Sequence, residues 1–238
     1  MRKIAIFVEG QTELVFVREF IKHKYCYNVN IDCFQLFKEG NLVYAPYPCV
    51  NPNAEVHYTL INVGNDVKVP SAICDRENSL FTNGFEKVIG LRDMYCQAYK
   101  EITTEIDENL NAEFITETNE LIRLRSNNYE NIHICFSIME IESWFLAMHH
   151  IFEKIHPTLT VDFIKQKLEL DLTKTDPEEA FFHPVKTFSK IYELAEMSYE
   201  KKRGDIESFC NNLCADDFEK LYHSSVCKSF NQFCDKIA

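Results

Sequence analysis

Short apolar runs alternate with amphipathic segments over the first 150 residues. Residues 3–8 predict a buried strand, because apolar side chains follow one another until polar residues interrupt them. The apolar positions of residues 14–21 then recur with helical spacing. Two further buried strands are predicted over Lys87–Asp93 and residues 131–138, with a helical segment between them.

The other segments are predicted from turn-forming residues and from periodicity. Residues 40–70 are rich in Pro, Asn and Tyr, which is typical of loops and short strands. A helix is predicted to begin near Met139, and helical periodicity continues beyond Pro157. Strands that alternate with helices indicate parallel βαβ units. We therefore expect an α/β core with a mostly parallel sheet over residues 1–150, and a helical C-terminal lobe over residues 151–238 that packs on it.

The composition is that of a folded chain. Of 238 residues, 46% are hydrophobic, which is enough to bury a core and excludes a disordered protein. The first apolar run stops at Glu9, too early for a signal peptide, and no segment approaches the roughly 18 apolar residues that cross a bilayer. We therefore expect a cytoplasmic protein without a membrane partner, whose ten cysteines are reduced and mostly buried.

The formal net charge of −12 limits the ways in which the chain could bind nucleic acid. An acidic protein does not coat nucleic acid with a basic surface. An enzyme that reaches phosphate through a bound divalent metal remains compatible with this charge, because it needs carboxylates. Seven acids without a base lie between residues 101 and 120, which a solvated helix face explains.

Three carboxylates stand at the ends of the three predicted strands: Glu9, Asp93 and Glu140. Because the carboxyl ends of parallel strands meet at one edge of a sheet, we expect them to converge. Clustered carboxylates repel one another unless a cation neutralises them, and oxygen ligands suit Mg²⁺ or Mn²⁺. Glu13 and Glu142 are candidate further ligands or general bases. The competing interpretation is that loops and helix N-termini favour acids without any function.

Short motifs support the functional interpretation through their order. Residues 7–13 contain E-G-Q-T-E, residues 91–95 contain L-R-D-M-Y, and residues 140–144 read E-I-E-S-W. Two later elements are H-P-V-K at residues 183–186 and S-V-C-K-S-F at residues 225–230. Together these motifs resemble the Toprim-like bacterial family catalogued as domain of unknown function 4276, which is related to the Toprim nuclease domains of overcoming-lysogenization-defect proteins.

The resemblance implies a Toprim-like, Rossmann-like fold and a metal-dependent nuclease that uses Mg²⁺ or Mn²⁺. It also implies a nucleic acid or nucleotide substrate and an ATPase partner within an anti-phage system. The catalytic residues it implies are Glu9, Asp93, Glu140 and Glu142. Glu13 is a candidate metal ligand by its position, one helical turn after Glu9. Candidate substrate contacts are Gly10, Thr12, Arg92, Lys201 and Lys202, the last two in a Tyr-Lys element of the family that includes Tyr199.

Two positions depart from the family pattern. Tyr95 replaces the second Asp of R-D-x-D, and Met148 replaces an acid that follows the Trp helix. Losing a carboxylate weakens a two-metal site, whose ions must share enough negative ligands. The alternative is therefore a catalytically weak or inactive Toprim-like binding subunit of an ATPase complex. A third class, phosphoryl or nucleotidyl transfer on a small nucleotide, would use the same acids. The sequence does not choose between DNA, RNA and small phosphate esters.

Overall fold

Six strands form one sheet in the computed structural model, which describes residues 1–37, 40–64 and 68–237. The central strand β1 pairs in parallel with β4 on one side and with β5 on the other, and β4 pairs in parallel with β2. The edge strand β3 runs antiparallel to β2, and β6 lies beside β5. The predicted α/β fold with a mostly parallel sheet is confirmed. The strands are β1 Arg2–Val8, β2 Asn30–Leu36, β3 Leu42–Cys49, β4 Val56–Asn62, β5 Lys87–Asp93 and β6 Ile132–Ser137.

Twelve α-helices and one short 3-10 helix, at Tyr129–Asn131, complete the described part of the chain. Residues 137–237 hold helices and no strand beyond Ser137, as the sequence predicts for the C-terminal region. The α-helices are α1 Gln11–Lys24, α2 Lys68–Thr82, α3 Gln97–Ile102, α4 Glu108–Arg125, α5 Glu142–Ala147, α6 Ile151–Ile155, α7 Val161–Leu168, α8 Pro177–Ala180, α9 Pro184–Glu193, α10 Arg203–Cys210, α11 Ala215–Tyr222 and α12 Lys228–Ile237.

The chain divides into two compact units. The sheet unit comprises Met1–Arg92, Asn109–Phe136 and Asp235–Ala238, and the helical unit comprises Asp93–Glu108 and Ser137–Cys234. These limits differ from the predicted domain boundary at residue 150. That boundary stays a prediction.

Side-chain patterns explain why each strand lies where it does. Residues 4–8 of β1 are fully buried and all apolar, as expected for a parallel strand that is covered on both faces. In contrast, β3 exposes Leu42, Val43 and Tyr44 and carries Pro46 and Pro48. Proline cannot donate to a ladder, and strands that contain it are therefore confined to sheet edges. Strand β2 and helix α2 were not predicted from the sequence.

One face of the sheet is packed by α2 and α4. Ala5 and Phe7 of β1 belong to the same buried cluster as Ile73 of α2 and Ile122 of α4. Alternate residues of a strand point to one face, so this cluster accounts for half of the apolar run of β1. Among the described residues, which include all ten cysteines, no disulfide forms and six cysteines are buried. No helix in the same residues combines the length and the apolar character that spanning a membrane requires.

A glycine in β5 allows this close packing. A Cβ atom on Gly90 would lie 2.8 Å from Cδ1 of Ile134 and 2.9 Å from side-chain atoms of both Ile73 and Val69. Contacts below 3.0 Å are steric clashes, and all three neighbours belong to the core cluster or pack against it. Position 90 therefore has room for a hydrogen atom and for nothing larger.

We predict that Gly90→Ala lowers the free energy of unfolding by about 1–3 kcal/mol, because overpacking forces the core side chains apart. Urea denaturation measures this change. Gly204→Ala is the matched control, because a Cβ atom there meets nothing within 4 Å and the residue lies in helix α10. That variant should be neutral or slightly more stable. Equal stability of Gly90→Ala and the wild type would contradict the packing described for α2.

Candidate active site

The last residue of β5, Asp93, lies at the start of the helical unit and is 5% exposed. Its Oδ1 accepts hydrogen bonds from the hydroxyl of Ser137 and, at 3.1 Å, from the backbone N–H of Ile141. Hydrogen bonds to a carboxylate are stronger than those between neutral groups. Asp93 therefore fixes the segment that follows β6, which carries the next two predicted site residues.

That segment presents Glu140 and Glu142. Met139, just before it, has a φ of 62°, a left-handed conformation that is uncommon for a residue with a side chain and is frequent at functional sites. Glu140 Oε2 accepts a hydrogen bond of 3.2 Å from the backbone N–H of Val185, in the first turn of α9. Glu142 begins α5, is fully buried, and its Oε1 accepts a hydrogen bond of 2.9 Å from the hydroxyl of Tyr199.

One ammonium group joins the two glutamates. Nζ of Lys201 lies 3.0 Å from Oε1 of Glu140 and 2.8 Å from Oε2 of Glu142. Burial lowers the pKa of Lys201, but the charges of Glu142, Asp93 and Glu140 outweigh it and raise that pKa well above its usual value. The backbone of Lys201 is also left-handed, with a φ of 56°. The lysine that the sequence assigns to substrate is placed here as the counter-ion of the acids.

Several acids meet in this group. Asp93, Glu140 and Glu142 are three buried carboxyl groups, and their charges act on the ammonium of Lys201. Buried like charges are costly unless further positive charge compensates them. Their oxygen atoms are ligands of the kind that Mg²⁺ and Mn²⁺ prefer, and Lys201 shows that a cation is accepted between the two glutamates. The donor chemistry of these residues therefore suits a divalent metal, although their ligand atoms are not among those that lie within 4.8 Å of one another in the described part of the chain.

The two departures from the family motifs are packed positions. The ring of Tyr95 contacts the rings of Phe182 and His183 at centroid distances of 5.4 Å and 4.9 Å. Burial, and then the charge of Glu140, raises the pKa of Tyr95. Met148 is 1% exposed. Neither position therefore contributes a carboxylate, and both side chains serve packing instead.

Four of the predicted site residues lie in the sheet unit at the start of α1. Glu9 follows β1 and is half-buried, while Thr12 and Glu13 are buried in the first turn of the helix. A Cβ atom on Gly10 would lie 3.0 Å from Oε2 of Glu13, so the two residues of the E-G-Q-T-E motif are close neighbours. The predicted convergence of Glu9 with Asp93 and Glu140 stays a prediction.

The two remaining candidates, predicted to contact substrate, are Arg92 and Lys202. Arg92 belongs to the sheet unit, and its guanidinium lies 5.2 Å from the ring centroid of Phe136, between helices α2 and α4. Lys202 is exposed and pairs with Glu200. Of the two lysines, the structure therefore places Lys201, and not Lys202, beside the acids of the helical unit.

Sequence reasoning missed a second buried network in the helical unit, centred on Glu178. Nε1 of Trp144 donates to Oε1 of Glu178 at 3.1 Å and to Oγ of Ser229 at 2.8 Å. The backbone N–H of Ser229 donates to Oε2 of Glu178 at 3.3 Å. This network ties the E-I-E-S-W motif to the S-V-C-K-S-F motif. The available signal was the run D-P-E-E at residues 176–179, which is typical of a helix start.

Glu178 also belongs to a group of residues whose side chains are of the kinds that bind metals. In the described ranges, one group of three candidate metal-ligand atoms lies within 4.8 Å of one another, and it belongs to Asp176, Glu178 and Cys227. Burial raises the pKa of the Cys227 thiol well above its usual value, and the acids already accept backbone hydrogen bonds. A protonated thiol does not suit Mg²⁺ or Mn²⁺. This group is therefore a structural network.

The fold defines an α/β protein with a mostly parallel sheet and a helical C-terminal region. No family model matches the chain. No curated protein matches it in sequence. Among solved structures, it is similar to the C-terminal region of the Burkholderia pseudomallei OLD protein, with a TM-score of 0.40 and 12% sequence identity over 100% of both chains. A likeness at this level does not decide the function, which depends on the residues of the site.

We predict that Glu178 makes stability depend on pH. Burial, partly offset by hydrogen bonds from Ser229 and Trp144, raises the pKa of Glu178 from 4.5 to about 7. The fold therefore favours the protonated acid. Its stabilising contribution is complete below about 4.5 and is lost as the pH rises through about 7, by on the order of 3 kcal/mol.

The measurement is the free energy of unfolding against pH for the wild type and for Glu178→Gln. The amide keeps an acceptor for Trp144 and cannot titrate, so its profile should be flatter between about pH 4.5 and about pH 7. Glu179→Gln, an exposed neighbour in α8, is the control and should follow the wild type. Parallel profiles for Glu178→Gln and the wild type would contradict the assignment.

Proposed function

We propose that this protein is a divalent-metal-dependent phosphodiester hydrolase, a nuclease of Toprim type. The observation that carries the proposal is the group of three buried carboxyl groups, Asp93, Glu140 and Glu142, together with the ammonium of Lys201 that pairs with both glutamates. A fold tolerates such a concentration of buried acids mainly where cations neutralise them. The order of the motifs supports the same function, because these three acids are the ones that the family resemblance assigns to the site.

The acids, their hydrogen-bond donors and Lys201 have different roles in the proposed reaction. Asp93, Glu140 and Glu142 would hold Mg²⁺ or Mn²⁺, and Glu9 and Glu13 are proposed as further ligands from the sequence alone. When bound, such a metal lowers the pKa of water and stabilises negative charge on a phosphodiester. The N–H groups of Ile141 and Val185 orient two of the carboxylates, and the hydroxyl of Tyr199 orients the third. Lys201 contributes a fixed positive charge beside the acids.

The proposed substrate is nucleic acid or a nucleotide. With a net charge of −12, the chain repels polyanions except where positive charge is local. The proposed metal supplies such charge, and a basic surface on an ATPase partner would supply more. DNA, RNA and small phosphate esters all present the phosphodiester or phosphoester group that this chemistry requires.

A second candidate function is a catalytically inactive subunit that binds metal, a nucleotide or an ATPase partner. It is favoured by one specific arrangement, in which Lys201 already pairs with both glutamates while Tyr95 and Met148 pack in place of further acids. This candidate predicts no turnover with any metal, but co-purification with an ATPase that is expressed beside it.

The first test is nuclease activity. The purified protein should cut at least one of single-stranded DNA, double-stranded DNA and RNA in the presence of Mn²⁺, and chelation of the metal should abolish cutting. Asp93→Asn and Glu140→Gln should each lower the rate by about 100-fold or more, the usual scale for losing a group that acts in the transition state. The cutting rate of Glu9→Gln tests separately the prediction that Glu9 converges with Asp93 and Glu140.

Glu153→Gln is the control for this test, because Glu153 is an exposed acid in α6. It should cut at the wild-type rate. Circular dichroism of each variant separates loss of chemistry from loss of fold. Undiminished cutting by Asp93→Asn and Glu140→Gln would exclude these residues as the site. Absence of cutting by the wild type on all three substrates would favour the inactive-subunit function.

The second test concerns the ammonium. In chelator, Lys201→Met should lower the free energy of unfolding by about 3 kcal/mol, because it leaves buried carboxylates without their counter-ion. Mn²⁺ should then raise the melting temperature of this variant more than that of the wild type, because the ion restores the missing charge. Differential scanning calorimetry with and without Mn²⁺ measures both effects.

Lys202→Met is the matched control, since Lys202 is the next residue and pairs only at the surface with Glu200 among the described residues. It should behave as the wild type does in both conditions. If Mn²⁺ stabilises Lys201→Met no more than the wild type, the three carboxylates do not form a cation site.

A further inference from the structure

The sheet unit contains a buried arginine that has no hydrogen-bond partner for one of its donors. Arg92 is 8% exposed, and its Nε atom meets no acceptor among the described residues. Its guanidinium lies 5.2 Å from the ring centroid of Phe136, a cation–π contact that favours this position of the group. A buried charged donor without an acceptor is costly, so such a group marks a place where an acceptor binds.

Arg92 lines a pocket of about 220 Å³ that lies between two helices of the sheet unit. One wall is the first turn of α2, with Ser71, and the other is α4, with Thr118 and Arg125. The pocket is smaller than the roughly 300–1,000 Å³ of sites for whole cofactors or drug-sized ligands. Its size therefore suits a single small group.

The helix that forms the first wall adds to the positive potential of the pocket. Helix α2 has 15 residues and its first turn faces the pocket, so the positive end of its dipole lies there. Thr118 brings a hydroxyl group to the same pocket, and the hydroxyl of Ser71, which donates to the carbonyl oxygen of Lys68 at 3.1 Å, lies on the facing wall. An anion with several acceptor oxygens matches this combination of guanidinium, helix N-terminus and hydroxyls.

Two other charged residues line the pocket and affect how strongly it attracts an anion. Arg125 is half-exposed and lies 3.6 Å from Asp75, so part of its charge is already compensated. Glu117 is exposed at the rim, where its carboxylate opposes an anion. Arg92 is therefore the fixed positive group of the pocket, and a guanidinium recognises planar pairs of oxygens through two parallel N–H donors.

We infer that this pocket is a phosphate-binding site in which Arg92 donates to the phosphate oxygens. The inference rests on the sheet unit alone and does not depend on the proposed nuclease function. The phosphate could belong to inorganic phosphate, to the 5′ end of a nucleic acid or to its backbone, and these sources share the chemistry that Arg92 recognises.

The experiment is isothermal titration of the full chain with inorganic phosphate in a buffer that contains chelator, so that a metal-bridged phosphate cannot contribute. The wild type should bind phosphate at a single site. Arg92→Met should bind at least about tenfold more weakly (about 1.4 kcal/mol), and Arg92→Lys should recover part of the loss because it keeps the charge without the fork. Glu117→Gln should bind more tightly than the wild type.

Arg123→Met is the matched control, because Arg123 is an exposed arginine of α4 that does not line the pocket. It should bind phosphate as the wild type does. Equal binding by Arg92→Met and the wild type, or no binding by the wild type at millimolar phosphate, would overturn the inference. If Arg92→Met does not fold, phosphate binding by Arg92→Lys is compared with that of the wild type instead.

Competition identifies the source of the phosphate. A short oligonucleotide with a 5′ phosphate is compared with the same oligonucleotide ending in a 5′ hydroxyl. Displacement of inorganic phosphate by the first alone assigns the pocket to a 5′ end, and displacement by both assigns it to the backbone. Displacement by neither restricts the site to free phosphate, and each of these outcomes supports a phosphate site.

Discussion

The helical unit depends on one electrostatic interaction, the ammonium of Lys201 between the carboxylates of Glu140 and Glu142. Without that positive charge, two buried acids within reach of a third, Asp93, would repel one another in a poorly hydrated site. The left-handed backbone at Met139 and at Lys201 is consistent with this demand, because strained conformations persist where surrounding contacts over-determine them. The buried acids therefore require the positive charge of the lysine, and the lysine requires the negative charge of the acids.

The short motifs gain a physical meaning from their contacts. The aspartate of L-R-D-M-Y binds the backbone of the next motif, and the first glutamate of E-I-E-S-W binds the N–H that H-P-V-K supplies at the start of α9. The tryptophan of E-I-E-S-W binds a serine of S-V-C-K-S-F and shares Glu178 with it. Four motifs that are far apart in sequence thus form one hydrogen-bonded arrangement within the helical unit.

The elements that the sequence predicts well are those with strong local patterns. The runs of β1 and β5 are apolar because parallel strands are covered on both faces, and this pattern is visible without any tertiary information. The strands β2 and β3 are less clear, since β2 alternates and β3 carries prolines at an edge. In the site, Asp93 and Glu140 could be predicted because Asp93 ends β5 and Glu140 comes shortly after β6. Glu178 could not, because its partners Trp144 and Ser229 are 34 and 51 residues away and only folding brings them together.

The departures at Tyr95 and Met148 bear on how many metal ions the proposed site would hold. Both side chains are packed, Tyr95 against Phe182 and His183 and Met148 in the core, so neither position supplies a further carboxylate. Two metal ions need enough shared negative ligands to hold both of them. Because Tyr95 and Met148 supply none, the chemistry proposed for the helical unit is that of Asp93, Glu140 and Glu142 beside a lysine. A second ion would depend on the further ligands proposed, Glu9 and Glu13.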